Sequence, residues 1–295
     1  MTDLIPPPGG VALHDRLEET DRGLVYDLST LIDRRQLLKL AGFTTISAGL
    51  MSIAACAPAG SGLASSSASS TASAGAAGTA AATSCAVIPQ ETGGPFPGDG
   101  SNGPNVLAQS GIVRQDIRSS FGSSSTVAAG VPLTIDLTIQ DAAKSCVPLS
   151  GAAVYLWHCD RDGAYSLYSN GVTGENYLRG VQAADSKGLV TFKSIFPACY
   201  SGRWPHIHFE VYPNLAAATD DANKIATSQI ALPKDTCDTV YATDGYPQSV
   251  RNMQQVSLAS DMVFGDDGGI HEIGTVSGSV AAGYTVTLAV PVQAS

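Results

Sequence analysis

The sequence predicts an all-β domain, a sandwich of two β-sheets, that follows a long N-terminal segment without a core of its own. Three observations predict this fold class. From residue 85 onward, short runs alternate apolar and polar residues and are rich in strand-favouring types. Gly, Pro, Asn and Asp separate these runs. Almost nothing in the same region has the apolar period of a helix. We therefore expect a sandwich of the immunoglobulin-like or Greek-key type.

Composition and charge exclude some classes of partner. The chain of 295 residues has a formal net charge of -10 at pH 7, and only 14% of its residues are charged. Such a chain offers no basic surface to hold nucleic acid or anionic lipid electrostatically. We therefore expect no nucleic acid as a partner.

Residues 1–56 are interpreted as a leader followed by an export signal. The adjacent arginines Arg34 and Arg35 precede a weakly apolar run over residues 40–55, which is the layout of a twin-arginine signal. A single membrane span is the alternative, but the run is rich in Ala, Gly, Ser and Thr. It ends in small residues before Cys56, a pattern that resembles a bacterial lipobox. We expect an exported, extracytoplasmic protein that is secreted or tethered to the membrane through a lipidated Cys56.

The region between the signal and the domain is predicted to be a linker. Residues 57–84 are almost wholly Ala, Ser, Gly and Thr, a composition that cannot bury a core. The folded domain is therefore placed at residues 85–295.

The cysteines of this domain have two competing uses. In an oxidising compartment, the five of them allow up to two disulfides with one thiol left over, and the sequence leaves the pairing open. Structural zinc is the alternative, and the absence of any Cys-x-x-Cys spacing argues against it. The five residues are Cys85, Cys146, Cys159, Cys199 and Cys237.

Several runs of the domain are predicted to be strands. Before them, the Gly- and Pro-rich residues 91–98 must run as extended chain and turns, either as a surface arm or as the lip of a pocket. Alternation and β-branched content then predict strands at residues 131–139, 152–157, 189–195, 225–232 and 285–292.

A further strand carries the candidate chemistry. Pro205 stands where a strand would begin, and an alternating run follows it through Tyr212. On a strand, His206 and His208 point to the same face about 6 to 7 Å apart along the chain, close enough to converge on one metal ion. The alternative is a pair of ordinary polar residues on a solvent-facing side, so the pair needs partners from elsewhere in the chain.

The partners of the histidines decide which metal is expected. Glu210 is on the same strand face, but three successive same-face residues lie along a line and do not converge as a facial triad requires. Tyr165 follows a tight turn and Tyr200 follows a Phe-Pro-Ala-Cys run, so each hydroxyl can reach inward from a strand end. An adjacent trivalent cation lowers the pKa of a phenol enough to hold it as phenolate. Two phenolates and two imidazoles favour iron(III).

Three stretches carry a family resemblance. Residues 157–165, 192–200 and 203–209 resemble the intradiol ring-cleavage dioxygenases, the family of catechol and protocatechuate dioxygenases. The shared feature is an ordered set of Tyr, Tyr, Arg and His-x-His. Residues 91–96, Glu-Thr-Gly-Gly-Pro-Phe, are similar to a motif near the start of those domains, and the likeness covers roughly residues 85–265.

The resemblance implies a function and a role for each site residue. It implies an intradiol dioxygenase that cleaves a catechol-type ring with O2 to a cis,cis-muconate-type diacid. Arg203 would stabilise negative charge on the ring, and Gln229 is similar to a pocket glutamine of the family. The implied ligands of a non-haem Fe(3+) are Tyr165 and His206 in equatorial positions, and Tyr200 and His208 in axial positions.

Two departures from the family pattern leave the substrate and the oligomeric state open. The segment from Tyr200 to His206 is much shorter than in protocatechuate enzymes, which predicts a more open pocket wall. The helical dimerisation segment of catechol enzymes has no counterpart ahead of Cys85. The sequence leaves two alternative functions. One is a non-catalytic extracytoplasmic β-sandwich that binds a partner, and the other is a zinc or copper hydrolase, which lacks a supported general base.

Overall fold

The computed structural model describes residues 85–294, which form two β-sheets packed face to face. The predicted all-β sandwich is therefore confirmed. The predicted export signal, the lipobox cysteine and the linker lie outside the described residues. The strands are β1 Pro132–Asp141, β2 Val147–Pro148, β3 Ala153–Trp157, β4 Arg179–Ala183, β5 Leu189–Ile195, β6 His206–Tyr212, β7 Ala226–Ala231, β8 Thr275–Ser279 and β9 Gly283–Val292.

The two sheets differ in their pairing. The four-stranded sheet has the order β4-β3-β6-β7, and every neighbouring pair in it is antiparallel. In the five-stranded sheet, β1 pairs in parallel with β9, which in turn pairs with β8. The other side of β1 pairs antiparallel with β5 and, at its end, with the short β2. β6, which carries both histidines, is thus an inner strand of its sheet.

The four-stranded sheet is buried on both faces. One face of β6 contributes Ile207, Phe209 and Val211 to the core between the sheets. The opposite face joins a second apolar cluster that includes Tyr155 and Trp157 of β3, covered by chain from the N-terminal part of the domain. All seven residues of β6 are buried, so the alternative of a solvent-facing histidine pair is wrong.

Most predicted strands lie where the alternation placed them. The predicted strand at residues 189–195 has the bounds of β5, and those predicted for β1, β3, β7 and β9 differ by one or two residues at an end. The pattern missed β2, β4 and β8. In β4, the Cβ of a residue at Gly180 would lie 2.5 Å from Ile117 Cγ2, so a larger residue would displace that buried side chain. The sequence of the strand, Arg-Gly-Val-Gln-Ala, shows no apolar alternation.

Two short helices contradict the expectation of an almost helix-free domain. They are α1, Lys234–Tyr241, and α2, Pro247–Met253. Helix α1 buries Cys237, Val240 and Tyr241, the spacing of one helix face. A helix of eight residues contains that spacing only once, so the sequence pattern cannot be distinguished from a chance arrangement of apolar residues. No helix of the described residues is both long and apolar enough to span a membrane.

The first residues of the domain form an arm that is fastened along both sheets. Cys85 forms a disulfide with Cys146, next to β2. The Ile88 amide then donates to the Pro291 carbonyl at 2.8 Å on the five-stranded sheet. The Glu91 amide donates to the Thr227 carbonyl at 2.8 Å on β7. The remaining cysteines, Cys159, Cys199 and Cys237, are buried free thiols, so the structure contains one of the two disulfides allowed for.

Arg179 fastens the next part of the arm. Its fully buried guanidinium donates to the Phe96 and Pro97 carbonyls at 2.9 and 2.7 Å. It also donates to the Ser166 side-chain and carbonyl oxygens at 3.0 and 2.9 Å, and to the Tyr155 hydroxyl at 3.0 Å. One side chain thus joins the Gly/Pro-rich segment to the loop that contains Tyr165.

Replacing both Cys85 and Cys146 with serine is expected to lower the free energy of unfolding by about 2–4 kcal/mol, because the disulfide closes a long loop. Chemical denaturation of the oxidised proteins measures the difference. In reductant, the free energy of unfolding of the wild type should fall to that of the double variant. The free energy of unfolding of the double variant should be the same with and without reductant. Equal stability of the oxidised wild type and the double variant would contradict the prediction.

Arg179→Met is expected to lower the free energy of unfolding by about 3 kcal/mol or more, because the buried carbonyls would lose their donors. The control is Arg118→Met, which breaks a 2.6 Å ion pair with Asp116 whose side chains are both 42% exposed. Arg118→Met should lower the free energy of unfolding by less than about 1 kcal/mol. Urea denaturation compares the two, and similar losses would show that Arg179 does not fasten the arm.

Candidate metal centre on the outer face of the four-stranded sheet

The two histidines of β6 converge as the strand period predicts. His206 and His208 lie on the face of the sheet that points away from the other sheet. Their Nε2 atoms are 3.1 Å apart, and each residue is only 2% exposed. Two imidazole nitrogens thus face the same small volume.

Hydrogen bonding and stacking orient these rings. His206 Nδ1 lies 2.5 Å from the Trp204 carbonyl oxygen, which can only accept, so Nδ1 carries the proton and Nε2 keeps its lone pair. The His208 ring stacks on Trp157, its cross-strand neighbour, at 4.9 Å and 4°. Burial, first of all, lowers the pKa of both histidines well below the ordinary value, and the charge of Arg203 lowers it further. Both rings are therefore neutral, the form that binds a metal.

The two predicted tyrosines complete the cluster. The Tyr200 hydroxyl lies 3.1 Å from His206 Nε2. The Tyr165 ring is 5.9 Å from the Tyr200 ring and 6.3 Å from the His208 ring. The Tyr165 hydroxyl is buried and has no hydrogen-bond partner among the described residues. Such a group is costly to bury without a partner, so it marks a place where a ligand or ion fits.

The donor atoms fit one metal ion. Two ligand atoms that are each about 2.1 Å from an ion, at right angles to each other, are about 3 Å apart. The two 3.1 Å separations around His206 Nε2 match that spacing. Among residues 85–294, no group of three or more His, Cys, Asp or Glu side chains could hold a metal. A metal at this place therefore needs the tyrosine oxygens, and phenolate donors suit a hard trivalent cation.

Without a cation, the Tyr165 phenol is held in its protonated form. Burial is the main reason that its pKa lies well above the ordinary value, and the neighbouring Tyr200 raises it further. The positive charge of Arg203 acts in the opposite direction. Metal binding would therefore release a proton from this phenol, as thiol and phenol ligands do when they meet a metal.

The loop after β3 positions Tyr165. Asp160 caps the turn that precedes it, with Oδ1 accepting from the amides of Asp162 and Ala164 at 3.0 and 2.9 Å. Tyr177 donates its hydroxyl to Asp160 Oδ2 at 2.9 Å. The tyrosine was predicted at a strand end, and the structure places it in this loop, eight residues beyond Trp157 of β3.

The two helices position Tyr200 through the loop after β5. Tyr246 donates its hydroxyl to the Phe196 carbonyl at 2.9 Å, and Tyr241 donates to the Pro197 carbonyl at 3.1 Å. Asn252 of α2 donates to the Cys199 carbonyl at 2.8 Å. The unpredicted helices therefore brace the loop that carries a predicted ligand.

Arg203 and Gln229, the predicted catalytic residues, are in contact beside the histidines. Arg203 Nη2 donates to Gln229 Oε1 at 2.7 Å, and Gln229 lies directly opposite His208 in the pairing of β6 with β7. Gln229 Nε2 in turn donates to the Thr92 carbonyl at 2.9 Å. The segment at residues 91–98 therefore reaches the site, which favours the lip of a pocket over a surface arm.

Glu210 is on the same face of β6 but belongs to a different cluster. Its carboxylate accepts from Lys224 Nζ at 3.0 Å and from the Tyr212 hydroxyl at 2.6 Å. Burial raises its pKa to about 7, against the opposing charge of Lys224. These bonds use both carboxylate oxygens, in agreement with its exclusion as a third metal ligand on geometric grounds.

Comparisons with known proteins show what this domain is similar to. A family model described as "Dioxygenase" matches residues 102–235, a range that includes all six predicted site residues. No curated protein matches the chain. The solved structure of an intradiol ring-cleavage dioxygenase from Tetranychus urticae matches with 24% identity and a TM-score of 0.52, covering 63% of this chain and 88% of that one. That likeness shows the fold.

A second solved structure is more distant. It is the dioxygenase domain of a dioxygenase carbohydrate-binding protein fusion from Streptomyces sp. SirexAA-E, with 21% identity and a TM-score of 0.45, covering 71% of this chain and 100% of that one. The family match over residues 102–235 and the fold shared with the first structure confirm the resemblance read in the sequence: this domain matches the dioxygenase family model over most of its length and has the fold of an intradiol ring-cleavage dioxygenase.

Proposed function

We propose that the domain is a non-haem iron(III) dioxygenase that cleaves catechol-type rings between their two hydroxylated carbons with O2. The observation that carries the proposal is the convergence of two neutral imidazoles and the Tyr200 phenol, with 3.1 Å between successive donor atoms, beside the buried Tyr165 ring, 5.9 and 6.3 Å from the Tyr200 and His208 rings. The match to the dioxygenase family model and the shared fold support the same chemistry. The proposed products are cis,cis-muconate-type diacids.

The proposed ligands are Tyr165, Tyr200, His206 and His208. A ferric ion held there would supply a Lewis-acidic, redox-active centre for the reaction of a catechol with O2. Of the four side chains, only that of Tyr200 belongs to a partly exposed residue. Its Oη is therefore the proposed proton acceptor for an incoming catechol, which must lose its hydroxyl protons on binding.

Arg203 and Gln229 form the proposed charge-stabilising wall. The positive charge of Arg203 lowers the pKa of His206, His208 and Tyr165, so its field reaches the proposed centre. A fixed cation in a site that excludes water stabilises negative charge that develops on the ring. The Gln229 amide holds the guanidinium on one side and the Thr92 carbonyl on the other.

The iron-loaded protein is expected to show a visible tyrosinate-to-iron(III) charge-transfer band and to consume O2 with catechol. Tyr165→Phe and His208→Ala should each remove most of the band and abolish O2 uptake, because each removes a ligand. Absorption spectroscopy and an oxygen electrode measure both effects.

The matched control is Tyr284→Phe, a buried tyrosine of the core between the sheets. It should keep both the colour and the activity. A colourless protein that still binds metal stoichiometrically would contradict the proposal and favour a non-catalytic binding module. Oxygen uptake with catechol, protocatechuate and hydroxyquinol compares the candidate rings.

We also propose that the protein is exported through its twin-arginine signal and tethered through a lipidated Cys56. The Cys85–Cys146 disulfide supports an extracytoplasmic location, because disulfides persist in oxidising compartments. Replacing Arg34 and Arg35 with lysine should retain the chain in the cytoplasm. Cys56→Ser should abolish lipid labelling and release an exported chain from the membrane. Cell fractionation measures both, and unchanged distributions would contradict the proposal.

A further inference from the structure

We propose that Asp261 is a positioning residue of the active site, holding both the Arg203 guanidinium and the start of β6. The inference rests on the proposed function for its catalytic meaning. Asp261 lies outside the range of the family match and 58 residues from Arg203, so no sequence motif joins them.

The Asp261 carboxylate is fully buried and each oxygen has two donors. Oδ2 accepts from Arg203 Nε at 3.0 Å and from the Trp204 amide at 2.6 Å. Oδ1 accepts from the amides of Val263 and Phe264 at 2.8 and 3.1 Å. The hydrogen bonds of Oδ1 fix the carboxylate to its own turn. Oδ2 therefore accepts from Arg203 and Trp204 at a defined position.

One route from Asp261 to the site passes through the guanidinium. The side chains of Arg203 and Asp261 are only 2% and 0% exposed, so the pair is shielded from water. Asp261 engages Nε, while Nη2 donates to Gln229 Oε1 at 2.7 Å. The carboxylate thus sets which edge of the guanidinium is directed toward Gln229 and its cross-strand neighbour His208.

The other route passes through the backbone. The same Oδ2 holds the Trp204 amide, and the Trp204 carbonyl accepts from His206 Nδ1 at 2.5 Å. The Trp204 indole donates to the Leu232 carbonyl at 2.9 Å, which fixes the other side of the residue. A single carboxylate therefore orients the proposed charge-stabilising cation and one proposed metal ligand.

A purely structural role for Asp261 predicts something different. Buried ion pairs contribute little net stability compared with apolar replacements, yet losing one partner leaves an uncompensated charge. If Asp261 only capped its turn, its loss would lower the free energy of unfolding by the same amount whether or not Arg203 is present. If it acts through Arg203, the two substitutions must be strongly non-additive.

The experiment is a double-mutant cycle of Asp261→Asn and Arg203→Gln on the full chain, with Asp116→Asn as the exposed-carboxylate control. For the iron-loaded proteins, Asp261→Asn should lower kcat for catechol about tenfold or more and change KM less than about threefold. In the Arg203→Gln background it should lower kcat by a clearly smaller factor, because only the route through Trp204 remains. The control should match wild type.

Two measurements on the metal-free proteins test the positioning role independently of enzymatic activity. Asp261→Asn should lower the denaturation midpoint of wild type but not of Arg203→Gln, in which it removes an unpaired buried charge. It should also shift the His206 Nδ1–H proton resonance. Additive losses in the cycle, or an unchanged resonance, would overturn the positioning role. Absence of colour and O2 uptake in wild type would overturn the proposed function instead. The denaturation midpoints and the His206 resonance would then still test the positioning role of Asp261.

Discussion

The strict alternation of side chains along β6 is the constraint on which the rest of the structure depends. Ile207, Phe209 and Val211 enter the core between the sheets, so His206 and His208 must lie on the opposite face. A slip of one residue in the pairing with β3 and β7 would bury the imidazoles in the apolar core. The packing that stabilises the sandwich therefore also fixes the positions of the two histidines.

Without a bound metal, the proposed centre is an energetically unfavourable arrangement of buried polar groups. Two neutral imidazoles are buried together with a phenol that has no hydrogen-bond partner within residues 85–294, and a guanidinium lies beside them. Burial keeps the imidazoles unprotonated and the Tyr165 phenol protonated, so the site holds lone pairs and an acidic proton that a trivalent cation would use. The surrounding loops are braced by Asp160 and by helices α1 and α2, which preorganises the ligands.

Sequence reasoning reached the strands with clear alternation and the pair His206 and His208, because period two alone fixes their common face. Tyr165 and Tyr200 were suggested by local turn signals and supported by the family resemblance, but both stand in loops whose course no local pattern gives. The hydrogen bonds of Arg179 could not be predicted, because most of its acceptors are backbone carbonyls far away in sequence. Asp261 was missed for the same reason: a single buried carboxylate among 26 acidic residues has no distinguishing signal.

The central claim is that four side chains share one ferric ion. Anomalous diffraction at the iron absorption edge, from crystals of the iron-loaded protein, tests it most directly. The account predicts one strong peak within bonding distance of Nε2 of His206 and His208 and of the hydroxyl oxygens of Tyr165 and Tyr200. A peak elsewhere, or none at this face of β6 in protein that contains stoichiometric iron, would contradict it.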